Sequence, residues 1–554
     1  MKLIAVLLFV FSLRAADREL IVAPDGQYKT VQSAVDAASP HSVIRIRPGV
    51  YKERVVVPYQ KPHLTFRGDD PKSTVITFDS HTGLPGPKGP INTFATPTVF
   101  IQANDFTAEN VTFENSAGNV GQAVALTIMG DRGVFRNCRF LGYQDTLLPQ
   151  AGRQYFDRCN IEGATDFIFG GSAAYFDRCT VHATANGYLT AANTTKDQRY
   201  GYVFDHCTIT GAPSAKTFLG RPWRPYAATV FLNSEISGVL RPQGWNNWND
   251  PTREKTVRYA EYPAPEGRVP WAKALTAAEA AQFNIETVLS GIDGWNPKTG
   301  AVRKSIKITQ SGAVKAPATP RYRNVIVSPD GTLHAVWSDA KRLAHATSHG
   351  TPHGTPHGTP PATSLAVSQD QAHWSAPQFM DIMAGRNALD LESPNLFYDD
   401  AGKQFIVTWS CTLARNAIQA FQEDVETNPR IWYATTRDFA TYSEPNLLFD
   451  NNYAVRDAQI LRLDASYALL HTDSTWPMQH LRVAFAATPL GPWGPSSDAF
   501  TAKGTHSPHA IRSGGEWWIY HSGGLVKTHD FWNFDEVPGA HAVGAMAPTS
   551  DPAK

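Results

Sequence analysis

The 554-residue chain has no net charge, because fifty Lys plus Arg balance fifty Asp plus Glu. That removes any whole-chain electrostatic attraction to nucleic acid or to an anionic membrane surface, and no nucleic-acid partner is expected. Long runs of helix-forming residues are scarce, whereas 41 Gly, 39 Pro and 14 Trp are present. Many short strands joined by turns are therefore expected, and a coiled coil is excluded. Cysteine is sparse too: there are five, none in a CxxC pair or a His-bearing spacing, which argues against a zinc framework. With 42% hydrophobic and 18% charged residues the chain can still bury sizeable cores. At roughly 150 residues per domain its length allows two to four domains.

The first sixteen residues, MKLIAVLLFVFSLRAA, place Lys2 ahead of an apolar run from Leu3 to Phe11 and end in Ala15-Ala16, the layout of a secretory signal peptide. A membrane anchor would need ~20 apolar residues, and nothing else in the chain reaches that length. Leu13 or Arg14 stands where a small residue should precede the cut, so the cleavage position stays open. The expectation is a secreted or periplasmic protein with no membrane association after signal removal.

Four of the cysteines sit in near-copies of one phrase: VFRNCRF at Cys138, YFDRCNI at Cys159, YFDRCTV at Cys179 and VFDHCTI at Cys207, at intervals of 21, 20 and 28 residues. A period near 20, alternating apolar positions and one small residue at a fixed phase are the pattern of a right-handed parallel β-helix. FTAENVTF at 106–113 and VFLNSEI at 230–236 extend the phrase, so coils cover much of 20–245. At the cysteine phase two readings stand: an interior ladder of unpaired thiols, or a disulfide between coils, with Cys159–Cys179 the first choice of pair.

Asp145 lies seven residues after Cys138, and Asp166 seven after Cys159. Equal phase on adjacent coils brings both carboxylates to one face, their backbones ~4.8 Å apart. Two carboxyls that close cannot both ionise cheaply, so one should stay protonated as an acid while the other is ionised and able to attack. In-phase Asp residues that merely cap turns are the competing reading. The surroundings favour chemistry: Gln144 is adjacent to Asp145, Gln122 stands one coil earlier, and Asp166 directly precedes Phe167. Downstream, Arg221 offers a fork for a carboxylate and Trp223 a flat surface for a sugar ring.

PGVYKE ending at Glu53, QAVAL at 122–126, GYQDTL at 142–147, DFIFG at 166–170 and LGRPW at 219–223 follow in order and spacing. On these five motifs the segment from about Ile21 to Trp295 resembles the pectin methylesterases, a carbohydrate esterase family. The resemblance implies Asp166 as nucleophile, Asp145 as acid and then base, and Gln122 and Gln144 as oxyanion donors. It further implies Arg221 as the partner of Asp166, with Trp223 contacting substrate; Phe167, which directly follows Asp166, is a further expected substrate contact. The implied reaction is hydrolysis of galacturonate methyl esters in pectin through an aspartyl acyl-enzyme, releasing methanol, with no cofactor and no metal. Three alternatives are carried: an esterase or thioesterase acting on a non-pectin substrate, a sugar-cleaving β-helix enzyme, and a non-catalytic polysaccharide-binding protein. Methanol release separates the first from the implied reaction; unsaturated ends or loss of viscosity would mark the second.

A Pro-rich stretch, an amphipathic helix from Thr276 to about Leu289, and Trp295 read as the end of this domain, 17–297, followed by a linker, 298–320. From Arg321 four paired-strand units recur: NVIVSPDGTLHAVWS, PNLFYDDAGKQFIVTWS, AQILRLDASYALLHT and PHAIRSGGEWWIYHS. At 50–70-residue intervals they read as blades of a β-propeller over 321–545. The fold class is thus all-β, a β-helix followed by a propeller. By pattern the second half resembles the five-bladed arabinosidase-type glycoside hydrolases, which use three carboxylates. Asp457 fits the third-blade acid, but His506 stands where a Glu is expected, Glu392 in ESP falls one blade early, and no Asp begins the first strand near Asn324. A second plant polysaccharide, bound or cleaved, is the partner expected there. The triple tetrapeptide HGTPHGTPHGTP at 349–360 reads as a loop expansion rather than a metal site, and Cys411 as a buried thiol.

Overall fold

The computed structural model describes residues 19–538 except 87–88, 197, 292, 302–305, 311–324, 331, 340–341, 349–377, 385, 387, 389, 413–428, 451–453 and 475–478. The expected signal segment and the 349–360 tract lie outside the described residues. The chain divides into two compact units, Met1–Leu289 and Ser290–Lys554. Among the described residues no helix is long and apolar enough to cross a membrane.

Two sheets, of eleven and thirteen strands, run along the first unit, and successive turns of chain pair in parallel, which makes it a parallel β-helix. In the larger sheet two rows of short strands merge at the long strands Asn160–Gly170 and Thr180–Ala192. The repeated phrase explains how each coil turns. Asn137, Arg158, Arg178 and His206 each precede a cysteine and take a left-handed conformation, φ 50 to 55°, so one residue makes the corner between two strands. Asn and His are among the residues that tolerate this region best.

Because every coil repeats the phrase in register, like side chains stack. Phe135, Phe156, Phe176, Phe204 and Phe231 form a continuous column with centroids 4.3–4.9 Å apart and planes within 13°. Strand spacing sets that separation. Cys138, Cys159, Cys179 and Cys207 are buried and unbridged, so the interior ladder, not the coil-to-coil disulfide, is the arrangement formed. Each thiol faces a carbonyl of the preceding coil, at 3.3–3.4 Å from the oxygens of Ala108, Phe135, Phe156 and Phe176. At the N-terminal end the helix Val31–Ala37 packs on the first coils. Glu53, the last residue of PGVYKE, accepts from the backbone N–H of Val31 and Gln32 at 2.7 and 2.9 Å, which gives that motif a structural role.

The expected helix from Thr276 to Leu289 is broken. Ala277–Ala280 and Ile285–Leu289 are helical, and Asn284 between them is extended at ψ 165°. Its side chain accepts from Thr287 N–H at 2.9 Å, so asparagine acts as an N-cap and restarts the helix. Arg153 ties this segment down. Its guanidinium holds the buried Asp131 at 2.6 and 3.0 Å and donates to the Leu289 carbonyl at 3.1 Å. Arg153→Met leaves Asp131 with less of its compensation and is expected to destabilise the unit by ~3–5 kcal/mol, read as a lower urea midpoint.

Among the described residues of the second unit four sheets follow one another, each an antiparallel meander. The first runs from Val325–Val327 to Gln378–Met380, the second from Glu392–Asp399 to Asn446–Phe449, the third from Val455–Arg462 to His480–Ala486. The fourth, His509–Ser513 to Asn533–Glu536, gains the strand Lys307–Gln310 at its edge. That strand falls inside the stretch expected to be linker. Its four residues, KITQ, carry β-branched Ile and Thr and complete the hydrogen bonding of an otherwise open edge.

Candidate active site

The coils that carry QAVAL, GYQDTL and DFIFG are consecutive, and their motifs stack. Gln122 bridges to Gln144, and Gln144 to Thr165, all parallel. Asp145 and Asp166 are the next residues along, and two residues further Leu147 pairs with Ile168. Both aspartates have positive φ, 63° and 51°, in a stretch where the ladder shifts register. Left-handed backbone at a non-glycine residue is strained, and here it occurs at both carboxylates. They stand one coil apart, ~4.8 Å between backbones, and both residues are at most 8% exposed.

Their environments differ. Arg221 grips Asp166 with two hydrogen bonds, Nε to Oδ1 at 2.9 Å and an Nη to Oδ2 at 2.6 Å. Its guanidinium lies between the rings of Tyr188 and Trp248, 3.9 and 3.7 Å from their centroids. Gly220 lets this segment approach, since a Cβ there would stand 2.1 Å from Thr190 Oγ1. Burial pushes the Asp145 carboxyl well above the ordinary range, and the charge of Asp166 pushes it further, with Arg221 opposing only from a distance. Asp166 is also raised by burial, but the direct bonds of Arg221 oppose the rise. Of the two, Asp166 ionises first and Asp145 keeps its proton.

Gln122 is oriented by a residue the motifs do not contain: Thr82 Oγ1 donates to its Oε1 at 2.8 Å, which leaves the amide N–H₂ to donate elsewhere. Trp223 lies beside Phe94 and Phe169, centroids 6.5 and 5.8 Å away, and forms with Trp248 an apolar floor next to the acids. Phe167 is a correction. It is fully buried in the interior of the β-helix, with its Cβ against Gly163, and does not face the carboxylates. After the left-handed corner at Asp166 the next side chain turns inward, and Phe169 occupies the position beside Trp223.

In the second unit Asp457 is enclosed by protein donors. It accepts from the hydroxyls of Ser393 and Thr472, the latter at 2.9 Å, and from Ser507 N–H at 3.1 Å. Ser393, Asp457 and Ser507 share φ of 50–55°, one equivalent corner in three successive sheets. The residues just before them are Glu392, Arg456 and His506, and Glu392 is ion-paired to Arg456. The corner set therefore holds one carboxylate engaged as a strut and one neutralised by arginine, a departure from three available acids.

Residues 19–292 match the family model described as Pectinesterase, and residues 357–501 match one described as Probable glycosyl hydrolase domain. Putative pectinesterase 11 of Arabidopsis thaliana is 36% identical over 301 residues, covering 52% of this chain and 82% of that protein. Pectinesterase 31 of the same plant is 39% identical over 290 residues, covering 49% of this chain and 91% of that protein. A solved pectin methylesterase from carrot is 34% identical, covers 51% of this chain and 95% of its own, and has a TM-score of 0.47. The first unit thus defines a carboxylic ester hydrolase. More narrowly, the chain belongs to the pectinesterase family.

Proposed function

We propose that the first unit hydrolyses the methyl esters of galacturonate units in pectin through an acyl-enzyme on Asp166. An Asp166 oxygen adds to the C6 carbonyl of a methyl galacturonate. The charge that develops on the carbonyl oxygen is met by the amides of Gln122 and Gln144. As the tetrahedral species collapses, the bond from C6 to the methoxy oxygen breaks, and Asp145 passes its proton to the departing methanol. Asp145, now a carboxylate, takes a proton from water. The oxygen of that water adds to C6, Asp166 leaves as carboxylate and the galacturonate acid is released. The observation that carries this reading is the unequal pairing of two stacked carboxyls, one bonded twice by Arg221 and one with no cation in contact among the described residues.

Thr82 acts as a positioning residue for Gln122. Thr82→Val is expected to lower kcat ~10-fold with KM little changed, and Thr82→Ser to restore it; a change in KM alone would count against the role. Activity follows a bell in pH. It rises as Asp166 ionises, above the usual aspartate range because its pKa is raised, and falls as Asp145 deprotonates at higher pH. Methanol release from highly methylated homogalacturonan, measured against an acyl thioester, tests the substrate class; preference for the thioester overturns it.

For the second unit we infer a β-propeller that binds a plant polysaccharide. Four meander sheets, the added strand Lys307–Gln310 on the last of them, and the glycosyl hydrolase match support this reading. The engagement of Asp457 by three donors favours binding over cleavage. Export from the cytoplasm is the location that suits a pectin substrate and the apolar N-terminal segment.

A further inference from the structure

Between the first two sheets of the second unit lies a cavity of about 660 Å³, within the ~300–1,000 Å³ of small-molecule sites. It sits by Tyr398, five residues along its strand from Ser393 and hence ~16 Å of extended chain from the Asp457 corner. One wall is aromatic. Phe439 stacks on His345 at 3.6 Å with planes 1° apart, and Phe405 lies 4.7 Å from Phe439. His345 is held neutral, its pKa lowered to about 3 by burial and by His334, and among the described residues it bonds to His334 and Gln378. The wall therefore presents ring faces rather than charge.

The charges at the mouth are unevenly engaged. Asp330 accepts from the Ser328 hydroxyl and from Thr332 N–H, and Asp438 accepts from the N–H groups of Ala440 and Thr441. Both acids are thus bonded by their own turns. Lys403 and Arg437, also lining the cavity, are exposed and have no ion-pair or hydrogen-bond partner among the described residues. Two cations without protein partners, beside two carboxylates already engaged by their own turns and a neutral aromatic wall, suit a ligand with apolar ring faces and carboxylates.

We propose that this cavity binds de-esterified galacturonate, the product of the first unit, with Lys403 and Arg437 taking the carboxylates and Tyr398 packing against a ring face. The assignment rests on the reading of the second unit as a polysaccharide binder, and names its ligand class and place. The test is calorimetric titration of the full chain with trigalacturonate, its neutral amide and arabinotriose, with Trp223→Ala in every protein to weaken the esterase groove. Expected is a preference for the acid over the amide of at least ~10-fold, lost on combining Lys403→Ala with Arg437→Ala, and weakened by salt. Lys403→Glu alone should lower affinity more than Lys403→Ala, and in the Trp223-intact protein the double substitution should leave methanol release unchanged. Equal affinity in the double variant with near-ultraviolet circular dichroism intact overturns the assignment. If arabinotriose binds regardless of the two cations, the polysaccharide reading survives and this assignment falls. If neither sugar binds, both fall.

Discussion

Asp166→Ala is expected to lower methanol release from methylated homogalacturonan by at least ~10,000-fold while the chain stays folded, because in the proposed mechanism it removes the attacking group and leaves Arg221 facing an empty position. Binding should be reduced far less, since the apolar floor of Trp223, Phe94 and Phe169 is untouched. Asp166→Asn separates charge from shape. It keeps a side chain of the same size against Arg221 but supplies no nucleophile, and its activity should be as low as that of the alanine variant. Residual turnover within 10-fold of wild type in either protein would mean that Asp166 does not attack.

Asp145→Asn carries the second large effect, and it works on two observables. Loss of the proton donor should reduce kcat on methyl esters ~100- to 10,000-fold. A substrate whose leaving group needs no proton, such as a nitrophenyl ester, should be affected much less. Stability should move the other way. The folded pKa of Asp145 is raised, so between the ordinary aspartate value of 3.8 and the raised value the folded state holds a proton the unfolded chain has released. In that window wild-type stability falls as pH rises, and the asparagine variant lacks this loss. Relative to wild type it should therefore gain in urea midpoint as pH rises above the carboxylate range. A constant difference across pH would show that Asp145 ionises normally.

Much of the β-helix was legible because the determinant is periodic. The Cys-bearing phrase repeats its corner residue, its phenylalanine and its thiol, and parallel stacking converts equal phase into spatial adjacency. The same logic placed Asp145 and Asp166 side by side, and the motif glycine of LGRPW proved to be a close approach to Thr190. What the repeat does not encode was missed. Thr82 and Trp248 lie on segments outside the repeated phrase, and Tyr188 sits in the longest strand, where no local pattern announces that its ring covers Arg221. Phe167 departs from expectation because adjacency to Asp166 in sequence does not carry over to the groove: the left-handed corner at Asp166 reverses the side-chain direction. In the second unit the spacing of paired strands was visible, but not that Lys307–Gln310 would join the fourth sheet, since that pairing spans more than two hundred residues. Nor could the sequence reveal that Asp457 bonds to Ser393 and Ser507 from the neighbouring sheets, which is a property of the corners meeting in space.

The most direct test of the account is rapid quenching of the enzyme with methylated oligogalacturonate into hydroxylamine, followed by mass spectrometry of the peptide containing residue 166. An anhydride between Asp166 and the sugar should be captured as a hydroxamate on Asp166, formed as the first methanol appears and absent from Asp166→Asn. Full-rate methanol release with Asp166 never modified, and with modification instead at Asp145 or at neither residue, would contradict the assignment of the two carboxyls.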